Sequence, residues 1–145
     1  MRNKYVYEAE VRYYNRVKAD TKISSSKDAE VFLRKIWGDM DRLERGYVLY
    51  LNNNRILNYS LHSKGGMNST IFDCRLIFQE ALIHGATAII IAHNHPSDSL
   101  TPSQQDIKIT KNINDAGKIM DIKLLDHIIL TDSGYFSFAD EGLLG

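Results

Sequence analysis

The sequence predicts an α/β fold, a mixed β-sheet with helices packed against it. The apolar run at residues 86–92 lacks polar alternation and reads as a central strand covered on both faces, and residues 124–130 read as another buried strand. Two further apolar stretches flank Asn52-Asn53-Asn54, residues that tolerate turn backbone, and read as an antiparallel hairpin. Helical periodicities lie between these strands. Strands and helices interspersed, together with a hairpin, require a sheet with both parallel and antiparallel neighbours.

Taken in order, residues 5–14 alternate, with Tyr5, Tyr7, Ala9, Val11 and Tyr13 set against Glu8, Glu10 and Arg12, as a half-buried edge strand would. After the polar residues 21–26, Ser25 with Asp28 can cap a helix whose apolar positions are Ala29, Leu33, Ile36 and Trp37, ending near Gly38. The hairpin strands are residues 47–51 and 55–61. Residues 63–69, containing Gly65-Gly66, read as a loop. Asp73 caps a second helix carrying Leu76, Phe78, Ala81 and Leu82 and stopped by Gly85. Following the strand at 86–92 and a loop at 96–100, Thr101 with Pro102 and Gln104 provides a third helix start, and Ile109, Ile113 and Ala116 continue one face to Gly117. The second buried strand follows, and Ser133-Gly134 turns the chain into residues 135–138.

Composition narrows the function classes. A chain of 145 residues reads as a single domain, residues 1–145, and is expected to bury roughly two-thirds of its unfolded surface, enough for one core and a cleft. With 43% apolar and 25% charged residues, nine Gly and two Pro, disordered and fibrous classes are excluded. Acidic and basic residues number 18 each, so the basic excess that usually accompanies phosphate-backbone binding is missing. Cys74 is the single cysteine, which rules out an intramolecular disulfide and a thiolate zinc cage. No apolar run has signal-peptide character or approaches the roughly 20 residues needed to cross a bilayer. The expectation is a cytoplasmic protein with no membrane attachment.

The informative segment is Ile91-Ala92-His93-Asn94-His95-Pro96, followed by Ser103-Gln104-Gln105-Asp106 at the opening of the third helix. Residues two apart on a strand project to the same face, so His93 and His95 can present their imidazoles to one point. Pro96 ends the ladder, and the short loop brings the helix start back over the strand end, where Asp106 can supply a third ligand. Two imidazoles and a carboxylate suit Zn2+ with a position left for water, whose pKa falls towards about 7 in such sites. The alternative is that both histidines are polar strand-end residues and that Ser103 and Asp106 only cap the helix.

The string His93-x-His95, seven residues, then Ser103-x-x-Asp106 resembles the JAMM (MPN+, JAB-type) metalloprotease motif. Its setting in His93-Asn94-His95-Pro96-Ser97 is similar to that of bacterial RadC proteins. The resemblance extends from the region of Ser24 to Leu144 and includes Asp126-His127 and the closing segment 138–144. It implies a cytidine-deaminase-like α/β architecture, zinc on His93, His95 and Asp106, and Ser103 as a stabiliser of the oxyanion of a tetrahedral intermediate. It also implies a glutamate general base just ahead of the first hairpin strand, a position matched by Glu44. Spacing alone does not prefer Glu44 to Glu30 or Glu80, and most glutamates at a strand entrance are simply solvated. Two departures stand out. Asp98 replaces the glycine usual after His-Asn-His-Pro-Ser and adds a negative charge near the metal, although Asp tolerates left-handed backbone and the loop is expected to persist. The 145 residues also contain no helix-hairpin-helix segment like the one preceding this domain in longer RadC proteins, which argues against direct nucleic-acid binding.

Other candidates have plainer readings. Cys74 at an apolar helix start is expected to be a structural thiol. His127 reads as a core histidine or as a partner behind the metal ligands, bonded to Asp126, rather than a fourth ligand. His62 and His84 flank loops and read as solvated. The zinc deaminase signature, His-x-Glu with Pro-Cys-x-x-Cys, does not occur. The favoured expectation is a zinc-dependent metallohydrolase, a metalloprotease or isopeptidase acting on a protein or peptide with Glu44 as base and Ser103 at the oxyanion. The rivals are a nuclease linked to DNA repair and a non-catalytic protein-binding scaffold.

Overall fold

The computed structural model describes residues 8–12, 20–64 and 71–145. Its elements are α1 (Ser26–Ile36), β1 (Arg45–Asn52), β2 (Arg55–Lys64), α2 (Cys74–His84), β3 (Ala88–Asn94), α3 (Gln104–Met120), β4 (Lys123–Leu130) and β5 (Tyr135–Ser137). The strands form one five-stranded sheet in the order β2-β1-β3-β4-β5. β3 and β4 are parallel and joined through α3, and every other neighbouring pair is antiparallel. This is the mixed α/β sheet expected from the sequence. Among the described residues, no helix is long and apolar enough to cross a membrane.

β3 is buried at every position, because both faces of the sheet are covered. Ala88, Ile90 and Ala92 face a cluster with Ala29, Leu33 and Trp37 of the α1 segment, and Ile89 and Ile91 face a second cluster with Ile77, Phe78 and Ala81 of α2 and Ile113 of α3. Strand alternation therefore sends His93 and His95 towards α3 and Asn94 towards the α1 side. On β4 the register skips Leu125 between the pairs Ile89↔Leu124 and Ile90↔Asp126. An extra residue in a strand reverses the facing of everything after it. This bulge turns His127 onto the same face as His93.

Several boundaries differ from the sequence reading. Residues 8–12 are exposed and belong to none of the strands formed by the described residues, in contrast to the half-buried strand expected, and the rest of 5–14 lies outside the described residues. The hairpin turn is two residues rather than three: Asn52 pairs with Arg55, and Asn53 and Asn54 take φ of 55° and 62°, the left-handed pair that matches strand twist. β2 continues through Lys64, into what reads as a loop, and 65–69 lies outside the described residues. The caps at Ser25 and Asp73 and the left-handed Gly85 are as expected.

Helix α3 departs at both ends. Its N-cap is Ser103 rather than Thr101, and it runs past Gly117 to Met120, with Asp121 as a left-handed C-cap. Gly117 is an interior residue whose missing Cβ admits the backbone carbonyl of Ile122. The glycine serves close packing here, not helix termination.

Candidate metal centre

Three elements converge at the C-terminal end of β3. In the β1–β3 register Gly46 pairs with His93, which sets Glu44, two residues earlier, across from His95. Gly46 contributes no side chain, and its bare backbone is packed by Ile71 and Phe72, where a Cβ would collide with both. Phe72 then places its ring edge-on to His93 and His127, with centroids 6.3 and 5.8 Å away. The result is a cleft of about 270 Å³ bounded by Glu44, Ser103 and Gln105 together with Ile71, Phe72 and Ile109. A larger cavity, about 600 Å³, lies by the end of α3 around Gly117, Lys118 and Leu144 and is lined by no histidine or cysteine, so size does not locate the chemistry.

Within the cleft the ligand atoms of the expected triad meet. His93 Nε2 and His95 Nε2 are 2.9 Å apart, His95 Nε2 is 3.2 Å from Asp106 Oδ2, and His93 Nε2 is 3.3 Å from Asp106 Oδ1. The carboxylate of Glu44 lies within 4.8 Å of both histidine ligand atoms. The two histidines are thus flanked by two carboxylates, and the group Glu44, His93 and His95 could itself hold a metal ion. Glu30 and Glu80, indistinguishable from Glu44 by spacing, are engaged elsewhere. Glu30 pairs with Lys27 and Arg34, while Glu80 accepts from Tyr50 and Ser60.

The donor set fits zinc. Zn–N and Zn–O bonds of about 2.0–2.1 Å in a tetrahedron imply donor-to-donor edges of about 3.3 Å, close to the 2.9–3.3 Å separations seen. His95 Nδ1 donates to the Ser99 carbonyl at 2.8 Å, which leaves the Nε2 lone pair of the neutral ring facing the cleft. Burial works against ionisation of Asp106, but hydrogen bonds that His93 and His95 donate in their protonated forms outweigh it and hold the carboxyl well below the usual range. Its hydrogen bond to that carboxylate, against the opposing pull of burial, pushes the His95 pKa up. Electron-rich atoms this close are stable only around a shared cation, a proton in the free protein or a metal ion.

Asp106 also caps α3. Ser103 and Asp106 form a reciprocal capping box: Asp106 N–H donates to Ser103 Oγ at 3.0 Å, and Ser103 N–H donates to Asp106 Oδ2 at 2.8 Å. Capping and ligation are compatible, because a carboxylate offers about four lone-pair sites. Oδ1 keeps its approach to His93. The box also leaves the Ser103 hydroxyl proton uncommitted and available to the cleft.

Several neighbours were hidden from the sequence reading. Asn94, fully buried between the histidines but facing the other way, accepts from Arg45 N–H at 2.7 Å and donates to the carbonyls of Met40 and Leu43 at 2.8 and 2.9 Å. It clamps the segment that carries Glu44. His127 is fully buried, with Nε2 2.8 Å from His93 Nδ1 and Nδ1 2.6 Å from Thr110 Oγ1. It does stand behind the ligands, but its imidazole meets Thr110, and Asp126 receives only its backbone N–H.

The remaining expectations divide. Asp98 takes the left-handed backbone, φ 65°, and its carboxylate is captured by the Ser133 hydroxyl at 2.8 and 2.9 Å, which ties the loop to the β4–β5 turn. Cys74 is a free, partly buried thiol whose pKa burial pushes up, as a structural thiol's would be. His62 is not solvated: its side chain is 3% exposed and bonds Tyr50 and Glu80. The ring of His84 leans on that of Tyr50 at 5.0 Å.

Comparison with known proteins agrees with this geometry. The family model described as RadC-like JAB domain matches residues 23–143. A UPF0758 protein of Flavobacterium johnsoniae is 50% identical over 123 residues, 84% of this chain and 53% of that protein. Further UPF0758 proteins are 48% identical over 103 residues in Porphyromonas gingivalis (70% of this chain, 45% of that protein) and 41% identical over 123 residues in Enterococcus faecalis (83% and 52%). The chain thus spans about half the length of the curated relatives it matches. With the family model covering most of its length and the metal-site residues gathered at one strand end, the chain belongs to the RadC-like JAB domain family.

Proposed function

We propose that the protein is a zinc-dependent hydrolase that cleaves an amide or isopeptide bond in a protein or peptide. The observation that carries this reading is the convergence of His93, His95 and Asp106 within 3.3 Å, with Glu44 beside them in the same cleft. When bound there, zinc acidifies a water molecule and polarises the carbonyl under attack.

The side chains divide the remaining work. His93, His95 and Asp106 hold the metal, and Glu44 is the general base, taking a proton from the attacking water and returning it to the departing amine. Ser103 Oγ, already an acceptor for Asp106 N–H, directs its own proton to the developing oxyanion. Ile71, Phe72 and Ile109 give the cleft an apolar wall, which lowers its water content and strengthens these interactions. Balanced overall charge, 18 residues of each sign, favours a peptide over a nucleic-acid substrate.

The test is a panel of peptides, isopeptide-linked conjugates, DNA and RNA offered to zinc-loaded protein. Amide or isopeptide cleavage that falls by roughly 10²–10⁴-fold in Glu44→Gln is expected, the size of a general-base contribution. Cleavage of nucleic acid that Glu44→Gln abolishes would identify a nuclease instead. Zinc uptake with no turnover on any class would favour a binding scaffold.

A further inference from the structure

We propose that Thr110, acting through His127, fixes the proton positions on His93 and so presents its Nε2 lone pair to the metal site; this rests on the reading of His93 as a metal ligand. Thr110 is a positioning residue, one turn along α3 from Asp106 and buried to 2% exposure.

The order of protons follows from one fixed end. Thr110 Oγ1 lies 2.6 Å from the backbone carbonyl of Asp106. A carbonyl only accepts, so the single hydroxyl proton of Thr110 is committed to it. The hydroxyl must then accept from His127 Nδ1, 2.6 Å away. His127 is fully buried and, among the described residues, has no carboxylate on its ring, so it is neutral and carries its one ring proton on Nδ1. Its Nε2 is bare and accepts from His93 Nδ1 at 2.8 Å. With its proton on Nδ1, a neutral His93 has an unprotonated Nε2, the atom that faces His95 and Asp106. Three hydrogen bonds run in one direction, from His93 to the carbonyl of the residue whose side chain is another ligand.

Packing holds the relay in place. The His127 ring stacks on Phe138 at 4.6 Å with the planes 9° apart, and Phe72 meets its edge. Among the described residues, no alternative partner competes for either ring nitrogen. If the Thr110 hydroxyl is removed, His127 Nδ1–H loses its acceptor, and the ring's better choice is to protonate Nε2 and donate to His93 Nδ1. That forces the His93 proton onto Nε2, where it occupies the position the metal needs. Thr110 would thereby govern metal affinity without touching the metal, as partners of ligating histidines do elsewhere.

The experiment compares wild type with Thr110→Val, which keeps shape and loses the hydroxyl, and with Thr110→Ser, which keeps the hydroxyl. Long-range 1H–15N spectra of the zinc-free proteins above neutral pH report the tautomers directly. His93 and His127 are expected as Nδ1–H in wild type and Thr110→Ser, and as Nε2–H in Thr110→Val. Zinc affinity, measured by chelator competition, is expected to fall about 10–100-fold in Thr110→Val and to stay within about threefold of wild type in Thr110→Ser. A purely structural role would lower thermal stability but move neither tautomer nor affinity. His93 found as Nε2–H in zinc-free wild type overturns the proposal, as does a folded Thr110→Val that binds zinc like wild type. If Thr110→Val does not fold, the wild-type spectrum still decides. Failure of wild type to bind zinc would defeat the metal reading separately, because the tautomers are read without metal.

Discussion

At the scale of single residues, the site depends on side chains that never face it. Asn94 uses one acceptor and two donor bonds to fasten Arg45 N–H and the Met40 and Leu43 carbonyls. Asn94→Ala leaves those buried groups unpaired, at a cost of about 1–3 kcal/mol in stability, and frees the segment carrying Glu44. A displacement of about 1 Å in a catalytic group can lower turnover by 10²-fold. The expected result is a kcat reduced by roughly 10–100-fold with zinc affinity preserved, since no ligand is touched. Equal losses of zinc binding and turnover would refute the separation. The convergence of His93, His95 and Asp106 was legible because period-two spacing on a strand followed by a short loop to a helix start is a local pattern. Asn94 and Thr110 were not legible, because their partners lie across the fold: Asn94 reaches residues 49–54 positions away, and His127 meets Thr110 across 17. Sequence supplies the donors and acceptors but not their pairing. Glu44 had the same problem and needed the resemblance to separate it from Glu30 and Glu80.

At the scale of elements, the caps of α1 and α2 were readable, whereas the ends of α3, the length of the hairpin turn and the bulges were not. Ser25, Asp73 and Gly85 end helices through bonds within a few residues, so their chemistry is written locally. The Leu125 bulge carries no turn or breaker residue to mark it in the sequence, yet it decides which way His127 points. Helix α1 illustrates how a charged residue can dock an element. Glu30 is buried to 6% exposure, accepts from Lys27 and Arg34, and Arg34 continues to the carbonyls of Thr131 and Gly134 in the β4–β5 turn. Burial raises the Glu30 pKa, but the hydrogen bonds and charges of Lys27 and Arg34 outweigh it and the net shift is downward. A carboxylate with a depressed folded-state pKa stabilises the fold above its unfolded value, near 4.3, and that contribution is lost as pH falls through the folded value. Glu30→Gln is therefore expected to lower unfolding free energy by about 1–3 kcal/mol near neutrality. The gap between wild type and variant in denaturant melts should close as the solution is acidified below about pH 4. A gap that stays constant into acid would remove the ion pairs as its cause.

At the scale of the whole molecule, the candidate metal site gathers residues from neighbouring elements on the α3 face of the sheet. Its proposed ligands lie at the end of the central strand and at the start of the helix that crosses to the next strand, while Glu44 precedes the strand on the other side. An ion bound there ties β3 to the start of α3 and should stabilise the fold by mass action. At a free zinc concentration 100 times Kd the gain is about 2.7 kcal/mol, and for a domain of this size about 3–5 °C of melting temperature accompanies each kcal/mol. A rise of roughly 8–13 °C on zinc addition, reversed by chelator, is expected. Magnesium should produce little shift, because a site with two imidazoles suits zinc better than a hard cation. The same measurement assigns the two carboxylates. Both Asp106 and Glu44 stand near the histidines, but only Asp106 is held within 3.3 Å of both Nε2 atoms. His95→Ala and Asp106→Asn should therefore abolish most of the zinc-dependent rise, whereas Glu44→Gln should retain it. If Glu44→Gln loses the rise and Asp106→Asn keeps it, the roles are exchanged: Glu44 would be the ligand, and Asp106 would serve chiefly to cap α3.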